Sequence, residues 1–348
     1  MSATTSPSPA DTTASPAPGA PGAPARTAVR RHRTVGPVGV IALLAVLLGL
    51  VLTAFALPAV KSAPHDVPIG VAGPAQAAAQ VEQALAAKAP GAFAVTGFGD
   101  EAALTSAIRS RDVYGGIVVS ATGPQVLTAP AGSPAVAQLL VALASGLSAE
   151  LGRQVPVREI VSPPPSDPRG AGLAVALLPL IIGAVAPVLA LTRVVRGAWR
   201  QLAAVVSAAV VIGAVLAALL HWYGAFDGSW VRDAAAMSAV LAAMSTALLG
   251  LYSIGGLPAL GAGVAVFLLV GNPLSGLTTA PEFLPAFWST LGSWLPPGAG
   301  GQLLRSSAYF GGAGVGHAMV VLACWFAFGV ALLAVGSRGQ RAAEPLPA

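Results

Sequence analysis

The sequence predicts an α-helical polytopic membrane protein: six transmembrane helices, with an extracytoplasmic α/β domain between helices 1 and 2. Three observations carry that prediction. Charged residues make up only 9% of the chain and mean hydropathy is +0.77, whereas a water-soluble domain carries about 25% charged residues. Six uncharged apolar runs recur along the chain, each close to the length that a bilayer demands. Between the first two runs hydrophobicity falls, and short strand-like and helix-like patterns alternate.

Residues 1–35 are rich in Ser, Thr, Pro and Ala and lack an apolar period, which predicts a disordered cytoplasmic tail. The tail ends in Arg26, Arg30, Arg31 and Arg33. Residues 36–60 form the first expected transmembrane helix. Its AFALPAV segment has the look of a signal-peptidase site, but the long polar tail before it favours an uncleaved anchor.

Residues 61–170 read as the α/β domain. Strands are expected at 67–73, 93–99, 113–121, 125–129 and 156–161, and helices at 74–88, 100–109 and 133–151. Asp100 is placed to cap the second helix, and Thr122-Gly123-Pro124 to turn the chain between two strands. Ser162-Pro163-Pro164-Pro165 then makes a stiff linker back to the membrane.

Residues 171–336 are expected to form a five-helix bundle from runs at 171–191, 201–222, 234–252, 254–270 and 317–336. The first of these spans about 31 Å as a helix, matching a hydrocarbon core. The third and fourth are joined by almost no loop. Residues 282–310 differ: Pro285, Pro296, Pro297 and Gly298 break them, yet Phe283, Phe287, Trp288, Trp294, Tyr309 and Phe310 crowd them with rings. Such rings settle at the membrane–water boundary, so a re-entrant outer cap of one or two short helices is expected. Arg305 lies within it. Residues 337–348 are left as a cytoplasmic tail.

Arginine placement sets orientation. The first tail, the loop with Arg193, Arg196 and Arg200, and the segment with Arg338 and Arg341 fall on one side if there are six spans. By the positive-inside rule that side is the cytoplasm, and both termini lie there in a multi-pass protein of the cell membrane. Topology thus accounts for the positive balance, and no nucleic-acid partner is implied. Ser238, Ala242, Thr246 and Gly250 recur every four residues, the spacing of a close helix-packing face. Ala204 with Ala208, and Gly261 with Ala265, are shorter stripes of the same kind.

The six runs contain no Asp, Glu, Lys or Arg, which argues against a carrier driven by an ion gradient through a buried acid. The only lysines are Lys61 and Lys88, both expected outside, so no phosphate-binding G-x-x-x-x-G-K-[ST] loop exists in the cytoplasm. His32, His65, His221 and His317 lack partners at metal-ligand spacing, and His221-Trp222-Tyr223 reads as an interfacial trio. Cys324, the single cysteine, excludes an internal disulfide and is expected as a small core residue. No catalytic residue, metal ligand or cofactor site emerges, and the chain does not read as an enzyme.

Three stretches carry a family resemblance: VPIGVAGPAQAAAQVEQAL, then GFGDEAALTSAIRSRDVYGGIVV with Arg111, Val113 and Gly115, and LPAFWSTLGSWLPPGAGGQLLRSSAYF with Leu295-Pro296-Pro297-Gly298 and Arg305-Ser306. Over most of residues 67–336 the chain resembles permease subunits of the ABC-2 transporter type, in the branch of phage-infection-protein-like membrane proteins of Gram-positive bacteria. That resemblance implies a homodimer, or a heterodimer with a similar permease, docked through short cytoplasmic loops on a separate ATPase subunit. The docking loop would present Arg193, Arg196, Trp199 and Arg200. The expected function is export of an amphipathic or lipid-like substrate, with membrane lipid as the surroundings and ATP hydrolysis supplied in trans. The alternative is a non-transporting envelope protein whose ectodomain binds cell-wall components, a partner protein or phage.

Overall fold

The computed structural model describes residues 63–342 apart from 278, together with positions 36, 38, 39, 41, 42, 45, 46, 48, 49, 52 and 56. The expected tail at 1–35, most of the first run, and residues 343–348 lie outside the described residues. Residues up to Val46 and those from Leu47 onward form separate compact units. In the first, the described positions from Val38 to Val46 are helical.

The second unit begins with a five-stranded sheet. Its elements are β1 (Val67–Ala72), α1 (Ala75–Lys88), β2 (Phe93–Phe98), α2 (Glu101–Arg109), β3 (Gly115–Ser120), β4 (Gly123–Thr128), α3 (Pro134–Leu151) and β5 (Val157–Glu159). The strand order is β2-β1-β3-β4-β5, and only the β3–β4 pair is antiparallel. Strand residues alternate between faces with period two. Val67, Ile69, Ile117 and Val126 pack under Leu85 of α1 and Leu140 of α3, while Ala72, Val118 and Leu127 pack against Leu104 and Ile108 of α2. Covered on both faces, β1 is almost wholly apolar, as parallel strands require. Asp100 caps α2 by accepting the Ala103 N–H at 2.7 Å. The β3–β4 turn is shorter than the expected Thr122-Gly123-Pro124, because Gly123 and Pro124 already pair with Ser120 and Val119.

The bundle follows: α4 (Ala171–Val194), α5 (Ala198–Trp222), α6 (Trp230–Ala265), a π-turn segment (Val266–Gly271), short 3₁₀ turns at Pro273–Ser275 and Pro281–Phe283, then α7 (Ala286–Trp294), α8 (Pro296–Tyr309) and α9 (Gly316–Ala342). Among the described residues, five helices are long and apolar enough to cross a membrane: α3, α4, α5, α6 continued to Gly271, and α9. Of these α3 lies on the sheet, with Val136, Ala137, Leu140 and Ala144 buried there. The rest carry large apolar side chains outward, among them Val175, Ile182, Val211, Val215, Phe328 and Val335. Helices that are apolar on every face belong in lipid, and the chain is a multi-pass membrane protein. Cys324 is exposed on α9 and is not the core residue expected of it.

Helix α6 with its continuation holds 42 residues, about 63 Å if straight, roughly twice a hydrocarbon core. It is not straight. Gly256 has φ 62° and ψ −150°, a conformation essentially reserved for glycine. Beyond it the chain folds back, so that a methyl group on Gly263 would lie 2.6 Å from Leu251 and 2.9 Å from Leu248. The two expected runs at 234–252 and 254–270 are thus limbs of one tight hairpin. Its first limb is the axis of the bundle, burying Met237, Leu241, Met244 and Leu248. Helix α9 also outruns its expected end, since residues 337–342 continue the helix instead of starting a tail.

Candidate functional site

The chemistry of the molecule gathers where the sheet meets the bundle. Arg111 follows α2 with φ 68°, a left-handed backbone that few non-glycine residues adopt. This turn sends its side chain toward α8, where Nη1 donates to the Gln302 carbonyl at 3.2 Å and to Ser306 Oγ, and Nη2 donates to Gln302 Oε1 at 2.6 Å. Its guanidinium also lies 5.3 Å from the Phe310 ring centroid. Burial lowers the pKa of Arg111, opposed by Tyr114 and Glu282. Beside it the Tyr114 hydroxyl donates to Glu282 Oε2 at 3.0 Å. Burial, and then the Glu282 carboxylate, push the Tyr114 phenol up.

Helix α8 carries the second layer. It starts on Pro296 and Pro297, which suit the first turn, where no N–H partner is needed. Twelve of its fourteen residues are buried. Arg305, 2% exposed, donates from Nη2 to the Leu277 carbonyl at 2.6 Å, while its Nε and Nη1 have no partner among the described residues.

Two residues on, Ser307 Oγ donates to Asp233 Oδ1, and His221 Nε2 lies 2.9 Å from Asp233 Oδ2. Arg232 donates to the Ser307 and Gly311 carbonyls at 3.2 and 3.1 Å. Serine, histidine and aspartate thus meet, but not as a hydrolytic triad. The carboxylate sits between the other two and accepts the Ser307 hydroxyl itself, so the imidazole does not face Ser307 Oγ as the order of a triad requires. The cluster pins α8 and α5 to the first turn of α6.

Two cavities flank this junction. One of about 430 Å³ lies between α4, α5 and α6, walled by Val175, Pro179, Leu216, Leu220 and Met237, with Ser166, Asp167 and Tyr223 also lining it. The other, of about 190 Å³, lies between the sheet lobe, the linker and the start of α4, and includes Arg305 and Arg169. Asp167 caps α4, accepting the Ala171 and Gly172 N–H groups at 2.9 and 2.7 Å. Among the described residues no group of His, Cys, Asp and Glu is placed to hold a metal.

The residues singled out in the sequence fall in three places. Arg193, Arg196, Trp199 and Arg200 are exposed on the α4–α5 connection, at the end of α4 away from the sheet. Of the cap, Phe287 and Trp294 are exposed on α7, Trp288 is half-buried, and Pro296, Pro297 and Arg305 are buried in α8. The stripe on α6 divides between neighbours. Ser238 meets Gly213 of α5, whereas Gly250 and the Thr246 carbonyl meet Gly329 of α9; Ala242 is half-buried. In the hairpin's second limb, Gly263 faces the first limb and Gly261 is open.

The sequence reading missed the convergence of polar groups. Asp233 directly precedes the run expected at 234–252, yet it lies inside α6 with no exposed surface. His221, at the end of α5 beside the exposed Trp222 and Tyr223, is bonded to this cluster through Asp233. The one available signal was Gln302, Arg305 and Ser306 at i, i+3 and i+4, a polar stripe on a helix otherwise rich in glycine and leucine. Comparison with known proteins assigns no family, since no family model, curated protein or solved structure matches the chain.

Proposed function

We propose that this chain is an ABC-2-like permease subunit that exports an amphipathic or lipid-like substrate, powered by an ATPase supplied in trans. The first apolar run, α4, α5, the two limbs of the α6 hairpin and α9 make six spans in this reading. The sheet lobe stands outside the cell, and α7 and α8 form a re-entrant cap beneath it. The observation that carries the reading is the apolar cavity of about 430 Å³ among α4, α5 and α6. Its volume falls in the range of small-molecule sites, and its walls suit a hydrocarbon chain. Asp167, Tyr223 and Ser166 supply the few polar groups that an amphiphile's head requires. The exposed Arg193, Arg196, Trp199 and Arg200 are then the docking surface for the ATPase, on the cytoplasmic side by the positive-inside rule. The subunit would pair with a second copy or a similar permease.

Purification of the full chain in mild detergent, followed by mass spectrometry of what accompanies it, tests this reading. An ATPase should co-purify, and R193A/R196A/R200A should lose it while keeping the fold. Co-purification of an envelope protein or wall component without any ATPase would refute transport and favour a display role for the sheet lobe.

A further inference from the structure

The smaller cavity points to a ligand of its own. Arg305 is 2% exposed and, among the described residues, its only acceptor is the Leu277 carbonyl. Nε and Nη1 have no partner, which leaves three N–H donors of a buried guanidinium unmet. Buried polar groups in native structures are nearly always paired, and a buried charge without a counter-charge is costly. Among the described residues no carboxylate lies within ion-pair distance of Arg305, and the acids nearby bond to other groups. Glu282 accepts from the Tyr114 hydroxyl, and Asp167 from two N–H groups at the start of α4. The Tyr309 hydroxyl, also at this cavity, donates to the Ala225 carbonyl at 3.3 Å.

Arg305 borders a cavity of about 190 Å³ that it shares with Arg169, which is exposed. A cation at the mouth and another at the base draw an anion inward. The other walls, including Pro130, Pro134, Pro163 and Leu173, are largely apolar. Ala171 and Leu173 place the cavity at the first turns of α4, where the headgroup layer lies once α4 crosses a bilayer.

We propose that this cavity is an anion site, and that its ligand is a phosphate-bearing headgroup of an anionic amphiphile held by Arg305 and Arg169. Arginine donates to phosphate in strong charge-assisted bonds, and the apolar walls accept the adjoining glycerol or acyl carbons. The site does not depend on the transport reading, because a lipid held here would tie the sheet lobe to the membrane in either role.

The test uses the full chain in neutral detergent. Thermal midpoints are measured with phosphatidylglycerol, with phosphatidylcholine and with inorganic phosphate, for the native protein, R305Q and R169Q. Phosphatidylglycerol should raise the native midpoint by about 5 °C when present at about 100 times its Kd. R169Q should reduce that rise and R305Q should abolish it. The same arginine-dependent rise with inorganic phosphate would support the site and assign it a soluble anion. R169Q changes an exposed side chain, so it decides the matter if R305Q does not fold. Equal responses in native protein and variants, or equal responses to the two lipids, would overturn the proposal.

Discussion

Replacing Arg111 by alanine should free α8 from the sheet lobe. The side chain makes three hydrogen bonds to Gln302 and Ser306 and stacks on Phe310. A hydrogen bond to a charged group contributes about 1.5–3 kcal/mol, and a half-exposed cation–π contact about 0.5–1 kcal/mol. These contacts share one side chain and do not add fully, so about 3 kcal/mol is expected, roughly a hundredfold in a local opening equilibrium. Hydrogen exchange of the detergent-purified protein reads this directly, because the α8 amides from Gly298 to Tyr309 should exchange about a hundredfold faster in R111A. The backbone supplies a control. With φ 68° at this position, glycine avoids about 1 kcal/mol of strain that alanine keeps. R111G should therefore protect α2 and β3 better than R111A while leaving α8 equally loose. If α8 exchanges at the native rate in R111A, the junction is not what holds it, and the reasoning fails.

Other consequences are open to simpler measurements. In a C324S background, L251C/G263C should cross-link on mild oxidation, since the hairpin at Gly256 brings these positions together; a continuous straight helix would leave both thiols free. Gly329→Ala places a methyl group 2.3 Å from the Thr246 carbonyl oxygen, whereas Gly261→Ala meets nothing within 4 Å. Overpacking costs about 1–3 kcal/mol, so G329A should lower the thermal midpoint and G261A should not; equal midpoints would argue against the α6–α9 contact. Asp233→Ala removes the acceptor shared by Ser307 and His221. The expected loss is about 2–4 kcal/mol, seen as a lower midpoint and faster exchange at the end of α8 that holds Ser307; a native midpoint would show that the cluster is dispensable.

What the sequence made legible is what local chemistry determines. Asp100 announces its helix because a carboxylate at that position meets an N–H three residues on. The strands of the lobe announce themselves through Val67, Ile69 and Val71, apolar at a spacing of two. The reversal between the runs at 234–252 and 254–270 was legible from their lengths, but nothing in Ser253-Ile254-Gly255-Gly256 singles out Gly256 as the residue that turns the chain. The site was hidden further still. Arg111 meets Ser306 across 195 positions and Asp233 meets Ser307 across 74, and no local pattern carries a pairing of that kind. Each partner taken alone, an arginine after a helix or a serine in a glycine-rich stretch, is ordinary.

The distribution of charge connects these features. A charged side chain deep in a bilayer costs at least about 2.5 kcal/mol unless it meets a partner or water. Among the described residues the buried charges are Arg305 in α8 and Asp233 in the first turn of α6, and the half-buried Arg111, Glu282 and Arg232 gather beside them. Beyond Asp233 both limbs of the hairpin carry no charge, and the next charged residue along the chain is Glu282. Helix α8 is bonded to Arg111 on one side and to Asp233 on the other, with Arg305 turned to the cavity. A shift of α8 along its axis would therefore strain both polar contacts and reposition Arg305. Such a shift alters the anion cavity and the junction together, so ligand at the cavity and the hydrogen bonds of Arg111 stabilise the same placement of α8. By linkage, R111A should weaken the protection that phosphatidylglycerol gives, although Arg111 does not line that cavity. An undiminished response in R111A would separate the two and leave α8 a passive strut.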